Sequence, residues 1–518
     1  MSLIPQPQSV ALAAGHVMLS SLEDIVSEID ASLPPEGYTI DITTAAGVHM
    51  RGGSAIGLFY ARQTLRQLLP SSALRKSGGC TDGPWRLQAQ HISDAPSSGL
   101  RWRGCMLDVA RHFMPVPDVL RFIELLAFHK LNTLHLHLTD DQGWRIEVPG
   151  WTCLTSVGGC RARSMRGWPE HELYNATPHG GFYSVDDLRE IVAFASERHI
   201  TIIPEVNMPG HMQAAIAAYP ELGNTDVEGR EHPISVRDSW GISKHVLNVS
   251  NTTLNFCREV LDFVCDVFPS ETIGIGGDEC PYDEWKSSPA AKARMEELGL
   301  TGEPELQGWF TEQMAAHLAS RGRRAYAWDE IMGGYSGPVE AVMVAAWRGP
   351  GPTAVAARRG FDVVTCPDLN TYLDYRQSDD PGEPTPVGTL LTLEYMYTFD
   401  PVPEGLKPEE VAHVIGAQIN VWTEHMESAR RVEYMVFPRL CAFAEVAWGK
   451  GSQSFEGFRK RLEEQHFARL EALGVNYRPH TGPRPWDGRP DAPGKPQSRA
   501  ERLAEIESLT SELRVLAM

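Results

Sequence analysis

The sequence predicts an α/β protein: a closed (β/α)8 barrel, the TIM-barrel fold, behind a small N-terminal α+β domain. Three observations predict it. From about residue 100, short apolar β-branched runs alternate with longer amphipathic segments, the rhythm of βαβ units. Eight such runs occur, the number that closes a parallel barrel. Charged and hydrogen-bonding residues cluster at their C-terminal ends, the face on which such barrels carry their sites.

Residues 1–95 read differently from the rest. Alternation over Tyr38–Thr43 predicts a half-buried strand, and apolar residues at helical spacing over Ala55–Leu69 predict a helix ended by Pro70. The barrel is expected over 96–475. Its strand candidates are Gly104–Val109, Thr133–Leu138, Thr201–Val206, Thr272–Gly276, Arg324–Trp328, Val342–Trp347, Phe361–Cys366 and Gln418–Trp422. Val116–Lys130 and Ser184–His199 read as helices between them, the second opened by a capping box at Ser184 and Asp187. Ser454–Leu473 reads as the last barrel helix. Residues 476–518 read as a Pro/Gly-rich tail followed by a helical pattern over Ala500–Leu516.

Composition sets limits on function. The 518 residues carry a formal charge of −20, from 47 basic and 67 acidic side chains. Such a surface repels phosphate, so neither nucleic acid nor an anionic membrane is expected as a partner. No run approaches the length of a membrane span. The start, MSLIPQPQSV, lacks a basic, apolar leader, and the expected location is the cytoplasm. Nine cysteines form no Cys-x-x-Cys pair, so buried free thiols are expected, with Cys153 and Cys160 able to pair only in an exported protein. No zinc spacing is present and no cofactor is expected.

The chemistry centres on Gly276-Gly277-Asp278-Glu279, which follows an apolar strand. The glycines let another segment approach the backbone closely. Two adjacent carboxyls shielded from water repel, so one should hold its proton to higher pH, as a general acid must. Taken alone, such a pair is more often two solvated loop acids. His135 and His137 end a strand and alternate onto one face, the spacing of barrel metallohydrolases; with His211 and Asp278 nearby this suggests a metal-dependent amidohydrolase as a competing reading. A third is a sugar-binding module without catalysis.

Eight ordered stretches carry a resemblance that decides between them. They are Asp108-Val-Ala-Arg-His-Phe113, His135-Leu-His-Leu-Thr-Asp-Asp-Gln-Gly-Trp-Arg145, Pro204-Glu-Val-Asn-Met-Pro-Gly-His211, Gly276-Gly-Asp-Glu279, Trp328-Asp-Glu330, Ala346-Trp-Arg348, Tyr372-Leu-Asp374 and Val421-Trp-Thr-Glu424. Together they resemble the family 20 glycoside hydrolases, the β-N-acetylhexosaminidases, over most of residues 1–450.

The resemblance implies an exo-acting, retaining enzyme that removes terminal β-linked N-acetylglucosamine or N-acetylgalactosamine from oligosaccharides or glycoconjugates. The substrate's own acetamido oxygen serves as nucleophile through an oxazolinium intermediate, the exception to the two-carboxylate rule. Glu279 resembles the general acid/base, Asp278 the residue that orients the acetamido N–H, and Tyr372 the donor to its carbonyl. Arg111, Asp374 and Glu424 resemble the groups that hold sugar hydroxyls. Trp328, Trp347 and Trp422 resemble the aromatic walls, although a lone tryptophan would more often be core. Asp141 and His211 resemble residues that position the acids. Two positions depart from the family pattern: Asn207 stands where many relatives carry aspartate and Ala110 where serine is frequent, and neither is expected to touch the chemistry directly.

Overall fold

The computed structural model describes residues 2–75, 83–229, 233–449 and 454–513. The N-terminal domain is a sheet of five strands, β1 (Ser9–Leu19), β2 (Val26–Ile29), β3 (Tyr38–Thr43), β4 (Gly47–Gly52) and β5 (Trp85–Asp94), in the order β1-β5-β3-β4-β2. The alternation in β3 buries Tyr38, Ile40 and Ile42 on one face. Helix α1 (Ala55–Leu68) covers that face and begins where the Ser54 hydroxyl accepts from the Ile56 N–H.

The barrel strands are β6 (Trp102–Asp108), β7 (Thr133–Asp140), β8 (Thr201–Val206), β9 (Thr272–Gly276), β10 (Arg324–Trp328), β11 (Val342–Ala346), β12 (Val363–Thr365) and β13 (Val414–Val421). All eight pair in parallel; β13 pairs with β6 and β7 with β8, which closes the ring. Every residue of β6, β7 and β9 is buried, because parallel strands are covered on both faces. The covering helices include α2 (Val116–Phe128), α3 (Val185–Ser196), α4 (Asn251–Val267), α5 (Glu303–Ser320), α6 (Pro350–Arg358) and α7 (Arg439–Trp448). The expected capping box is present: the Ser184 hydroxyl accepts from Asp187 N–H, and Ser184 N–H donates to the Asp187 carboxylate at 2.8 Å. Between β10 and β11 the chain makes only 3-10 turns.

Two expectations change. The helix packed on β13 and β6 is α7, not Ser454–Leu473. The latter stretch forms Phe455–Arg461, a π-helical turn at Leu462–His466, and Phe467–Ala472. It joins barrel to N-terminal domain: Arg469 donates to the carbonyls of Ser2 and Gln67, and Arg461 to that of Leu3. The tail is no free linker either. Trp168 N–H donates to Pro493 carbonyl at 2.8 Å and Gln497 N–H to Gly388 carbonyl at 2.9 Å, so 493–497 lies across the barrel top. The tail ends in α8 (Arg499–Leu509), tied to the barrel by Arg502 on Asp368 at 2.6 Å. The end of the expected Ala500–Leu516 pattern, from residue 514, lies outside the described residues, as does Cys80.

The two domains share a buried polar junction. Lys130 Nζ lies 2.9 Å from Asp94 and 2.7 Å from Tyr38 Oη, while the Trp448 indole N–H donates to Asp94 at 3.1 Å. Eight cysteines among the described residues are free, Cys153 and Cys160 included. No helix among the described residues is long and apolar enough to cross a membrane.

Candidate active site

At the C-terminal mouth of the barrel the strands deliver the candidate side chains: Asp108 and Arg111 from β6, Asp140 and Asp141 from β7, Glu205, Asn207 and His211 from β8. Asp278 and Glu279 follow β9, Trp347 follows β11, Tyr372 and Asp374 follow β12, and Trp422 and Glu424 follow β13.

The acid pair occupies an unusual backbone. Gly276 and Gly277 have φ of +70° and +91°, and Glu279 itself has φ +47°. A Cβ on Gly276 would sit 1.9 Å from Asn207 Oδ1, so glycine there is a steric requirement. A glutamate in left-handed backbone costs conformational energy that the surrounding fold must hold in place, a pattern common at reactive positions.

The two carboxyls are unequal. Asp278 is buried and Glu279 remains open to solvent, its side chain 37% exposed. Burial pushes the Asp278 pKa up to about 6, and the charges of Glu205 and Glu279 push the same way; His211 and the Asn207 hydrogen bond pull it down. The adjacent-acid argument thus finds its raised carboxyl in Asp278.

His211 sits between two acid pairs. Its Nδ1 lies 3.3 Å from both Asp140 and Asp141, and its Nε2 3.6 Å from both Asp278 and Glu279. Burial opposes its charge, but Asp140 and Asp278 outweigh that, and its pKa stands well above the usual histidine value. These two carboxylates favour the imidazolium. Asp141 also accepts from the backbone N–H groups of Gln213 and Ser243 at 3.1 and 3.2 Å, which pins the loops that carry His211.

Arg111 is fixed by Asp140 at 3.0 Å, Asp108 at 3.2 Å and Gln142 at 3.1 Å, with Glu424 at 3.7 Å. Its guanidinium lies 4.9 Å from the Trp422 ring centre. Asp374 and Glu424 face each other, and both carboxyls are raised, mainly by burial and in Asp374 also by the Glu424 charge. Asp374 Oδ1 is buried and has no hydrogen-bond partner among the described residues, which is unusual for a buried acceptor.

Tyr372 stacks on Trp347 at 6.1 Å and 18°, and lies 6.2 Å from Trp422. Trp347 is oriented by its indole N–H, 3.0 Å from Glu330. Trp328 is 1% exposed, donates to Glu205 at 3.2 Å and lies with its ring centre 5.9 Å from that of Trp422.

His135 and His137 do share one side of β7, but they face protein partners. Both ring nitrogens of each are engaged: His135 by Glu205 and Gln418, His137 by Glu205 at 3.3 Å and Asp140 at 2.7 Å. Among the described residues, the clusters tight enough for one ion in this region are Asp140–Asp141–His211 and His211–Asp278–Glu279. Neither contains the histidine pair on which the metal reading rested.

Asn207 also departs from expectation. Its side-chain amide donates to Asp278 Oδ1 at 2.7 Å and its Oδ1 accepts from Gly277 N–H at 3.3 Å; Ala110 makes no such contact with the acids. Asn207 follows the end of β8, whose pairing with β7 is irregular at Glu205–Val206, so strand alternation gave no signal for its direction. Asp140, which links Arg111, His137 and His211, is likewise more central than the sequence reading placed it.

Known proteins match this chain along its length. The sequence model described as the family 20 glycosyl hydrolase catalytic domain matches residues 100–451, and that of domain 2 of the same family matches 4–95. A β-hexosaminidase of Porphyromonas gingivalis is 38% identical over 454 residues, covering 87% of this chain and 56% of that protein. The chain therefore spans little more than half of that relative. A β-hexosaminidase of Akkermansia muciniphila is 32% identical, covering 89% of each. Among solved structures, a family 20 exo-β-N-acetylglucosaminidase of Vibrio harveyi in complex with N-acetylglucosamine superposes with a TM-score of 0.78 at 31% identity, covering 94% of this chain and 78% of that one. With both of its domains matched in order and the acid pair seated at the barrel mouth, the chain belongs to glycosyl hydrolase family 20.

Proposed function

We propose that the protein is an exo-acting, retaining β-N-acetylhexosaminidase that removes terminal β-linked N-acetylglucosamine or N-acetylgalactosamine through an oxazolinium intermediate. One observation carries the reading: a buried carboxyl, Asp278, held by Asn207 and His211, adjoins a solvent-facing carboxyl, Glu279. The first is suited to hold a fixed partner and the second to exchange protons with water and leaving group.

In this reading Glu279 donates its proton to the glycosidic oxygen as the C1–O bond breaks. The acetamido carbonyl oxygen attacks C1 from the opposite face. Asp278 accepts the acetamido N–H and offsets the positive charge that develops there. The Tyr372 hydroxyl donates to the carbonyl oxygen and holds it in line. Water then attacks C1, Glu279 takes the proton, and the acetamido group is restored with the β configuration retained. His211, whose Nε2 lies 3.6 Å from each, helps to position both carboxyls. Arg111, Asp374 and Glu424 bind hydroxyls at the far edge of the ring, and Trp347 and Trp422 stack against its apolar face.

The test compares aryl β-N-acetylglucosaminide with aryl β-glucoside, with and without a chelator. Release from the N-acetyl substrate alone, unchanged by the chelator, is the expected result. Equal release from the glucoside would overturn acetamido participation. Loss on chelation would return the metal reading.

A further inference from the structure

Helix α8 lies outside the matched catalytic domain, which ends at residue 451, yet it reaches both loops that carry the stacked pair Trp347 and Tyr372. Arg499, Arg502, Ile506 and Leu509 recur at helical spacing, so one face of α8 makes the contacts. The first loop is the turn Asp368–Thr371, which delivers Tyr372. Arg502 Nε donates to Asp368 Oδ2 at 2.6 Å and Arg499 Nη1 to the Leu369 carbonyl at 2.8 Å. Asp368 also accepts from the Leu369 N–H at 2.6 Å and the Tyr375 hydroxyl at 2.8 Å, and its carbonyl takes the Tyr372 N–H at 3.2 Å. The Tyr375 ring stands 5.9 Å from that of Tyr372. The second loop follows β11. Arg348, next to Trp347, donates to the Leu509 carbonyl at 3.0 Å and to Asp329 at 2.5 Å, and Asp329 accepts the Trp347 N–H at 2.8 Å.

The Arg502–Asp368 pair holds more than the helix. Asp368 is buried; burial pushes its carboxyl up, and the charge and hydrogen bond of Arg502 pull it back. Without its ion-pair partner that carboxylate must take up a proton or turn toward water. Either change loosens the bonds to Leu369 and Tyr375 on which the turn depends. Packing is no substitute, because a groove of about 330 Å3 runs between α8 and α6, lined by Leu503, Ile506 and Val355.

We propose that Arg502, acting through Asp368, is a positioning residue for Tyr372: it holds the Asp368–Thr371 turn so that the Tyr372 hydroxyl meets the acetamido carbonyl of the substrate. Arg499 supports the same turn from one helical turn earlier. The proposal rests on the hexosaminidase reading, which gives Tyr372 that task.

A double-mutant cycle on an aryl β-N-acetylglucosaminide tests it. Arg502→Met should lower kcat by about 10-fold while KM changes by less than about 3-fold, and Arg502→Lys should keep part of the rate. Tyr372→Phe lowers kcat by itself. Adding Arg502→Met to Tyr372→Phe should cost less than about 2-fold more, because the hydroxyl to be positioned is gone. A general loosening of the fold would instead multiply the two losses. Arg499→Ala removes one bond to a carbonyl and should lower kcat by about 3-fold with the same non-additivity. It carries the test if thermal denaturation shows that Arg502→Met does not fold. Full activity in the arginine variants, or losses that multiply in the Tyr372→Phe background, would overturn the positioning role and leave the hexosaminidase reading standing. A silent Tyr372→Phe would overturn it too, by removing the task. Wild type that releases nothing from the N-acetyl substrate would overturn the underlying reading and the proposal with it.

Discussion

The side-chain amide of Asn207 donates to Asp278 Oδ1 at 2.7 Å, while Asn207 Oδ1 takes the N–H of Gly277. One residue thus steadies both the carboxyl and the turn that presents it. Its neutrality matters: a fourth acid here would crowd Asp278, whose pKa the charges of Glu205 and Glu279 already raise.

The pH profile follows from Asp278. Its pKa is raised to about 6, and the mechanism needs it ionised to hold the acetamido N–H. The log of kcat/KM, which reports the free enzyme, should show an acid limb that falls below about pH 6. Asn207→Asp adds a like charge and removes a donor to the ionised form, so the acid limb should move to higher pH. An unmoved limb in Asn207→Asp would separate Asp278 from the profile.

Asp278→Asn should cut kcat on aryl N-acetylglucosaminides by about 100-fold or more, in line with the loss of one preorganised charge-stabilising group. The same change should leave any residual glucosidase activity untouched, because a glucoside has no acetamido group to orient. Single-turnover rates on both substrates check this.

Glu279→Gln removes the proton donor while keeping shape. Turnover of substrates with poor leaving groups should drop by about 100- to 10,000-fold, with far less loss for a dinitrophenyl leaving group that needs no proton. Comparable losses on both would contradict its acid role. Binding of N-acetylglucosamine should persist by calorimetry.

Arg111→Lys tests hydroxyl recognition. Lysine cannot reproduce the fork that meets Asp108, Asp140 and Gln142 together. Losing one charge-assisted hydrogen bond costs about 1.5–3 kcal/mol, so kcat/KM should fall by about 10- to 100-fold. Thermal denaturation alongside separates this from a general loss of fold.

The domain junction gives a stability prediction independent of the site. Asp94→Ala leaves Lys130 buried without its countercharge, a change expected to cost about 3–5 kcal/mol. Lys130→Met in the same background should recover part of that cost. Both are read by denaturant midpoints, and kcat of the surviving folded protein should be unaltered.

Much of this architecture was written in local patterns. All eight barrel strands lie within or beside the expected runs, because a parallel strand covered on both faces is mostly apolar and the site residues gather at its open end. The Ser184–Asp187 cap was legible because it is a contact between residues three apart. The acid pair and its flanking glycines were legible for the same reason. What the sequence alone could not settle were choices made by distant segments. Whether Asp278 or Glu279 is the buried acid depends on Asn207 and His211, about seventy residues earlier in the chain. His135 and His137 have metal-site spacing, and it is Glu205 on the neighbouring strand that occupies them instead. Trp328 and Trp422 both stand at barrel strand ends, yet the first is buried with its indole N–H on Glu205 while the second is half-buried over Arg111. The Pro/Gly-rich tail carried no periodic signal, and only its backbone bonds to Trp168 and Gly388 make it a wall of the pocket. Periodicity reports which face of an element is buried; burial depth, charge state and partner are set by long-range packing, which no local window contains.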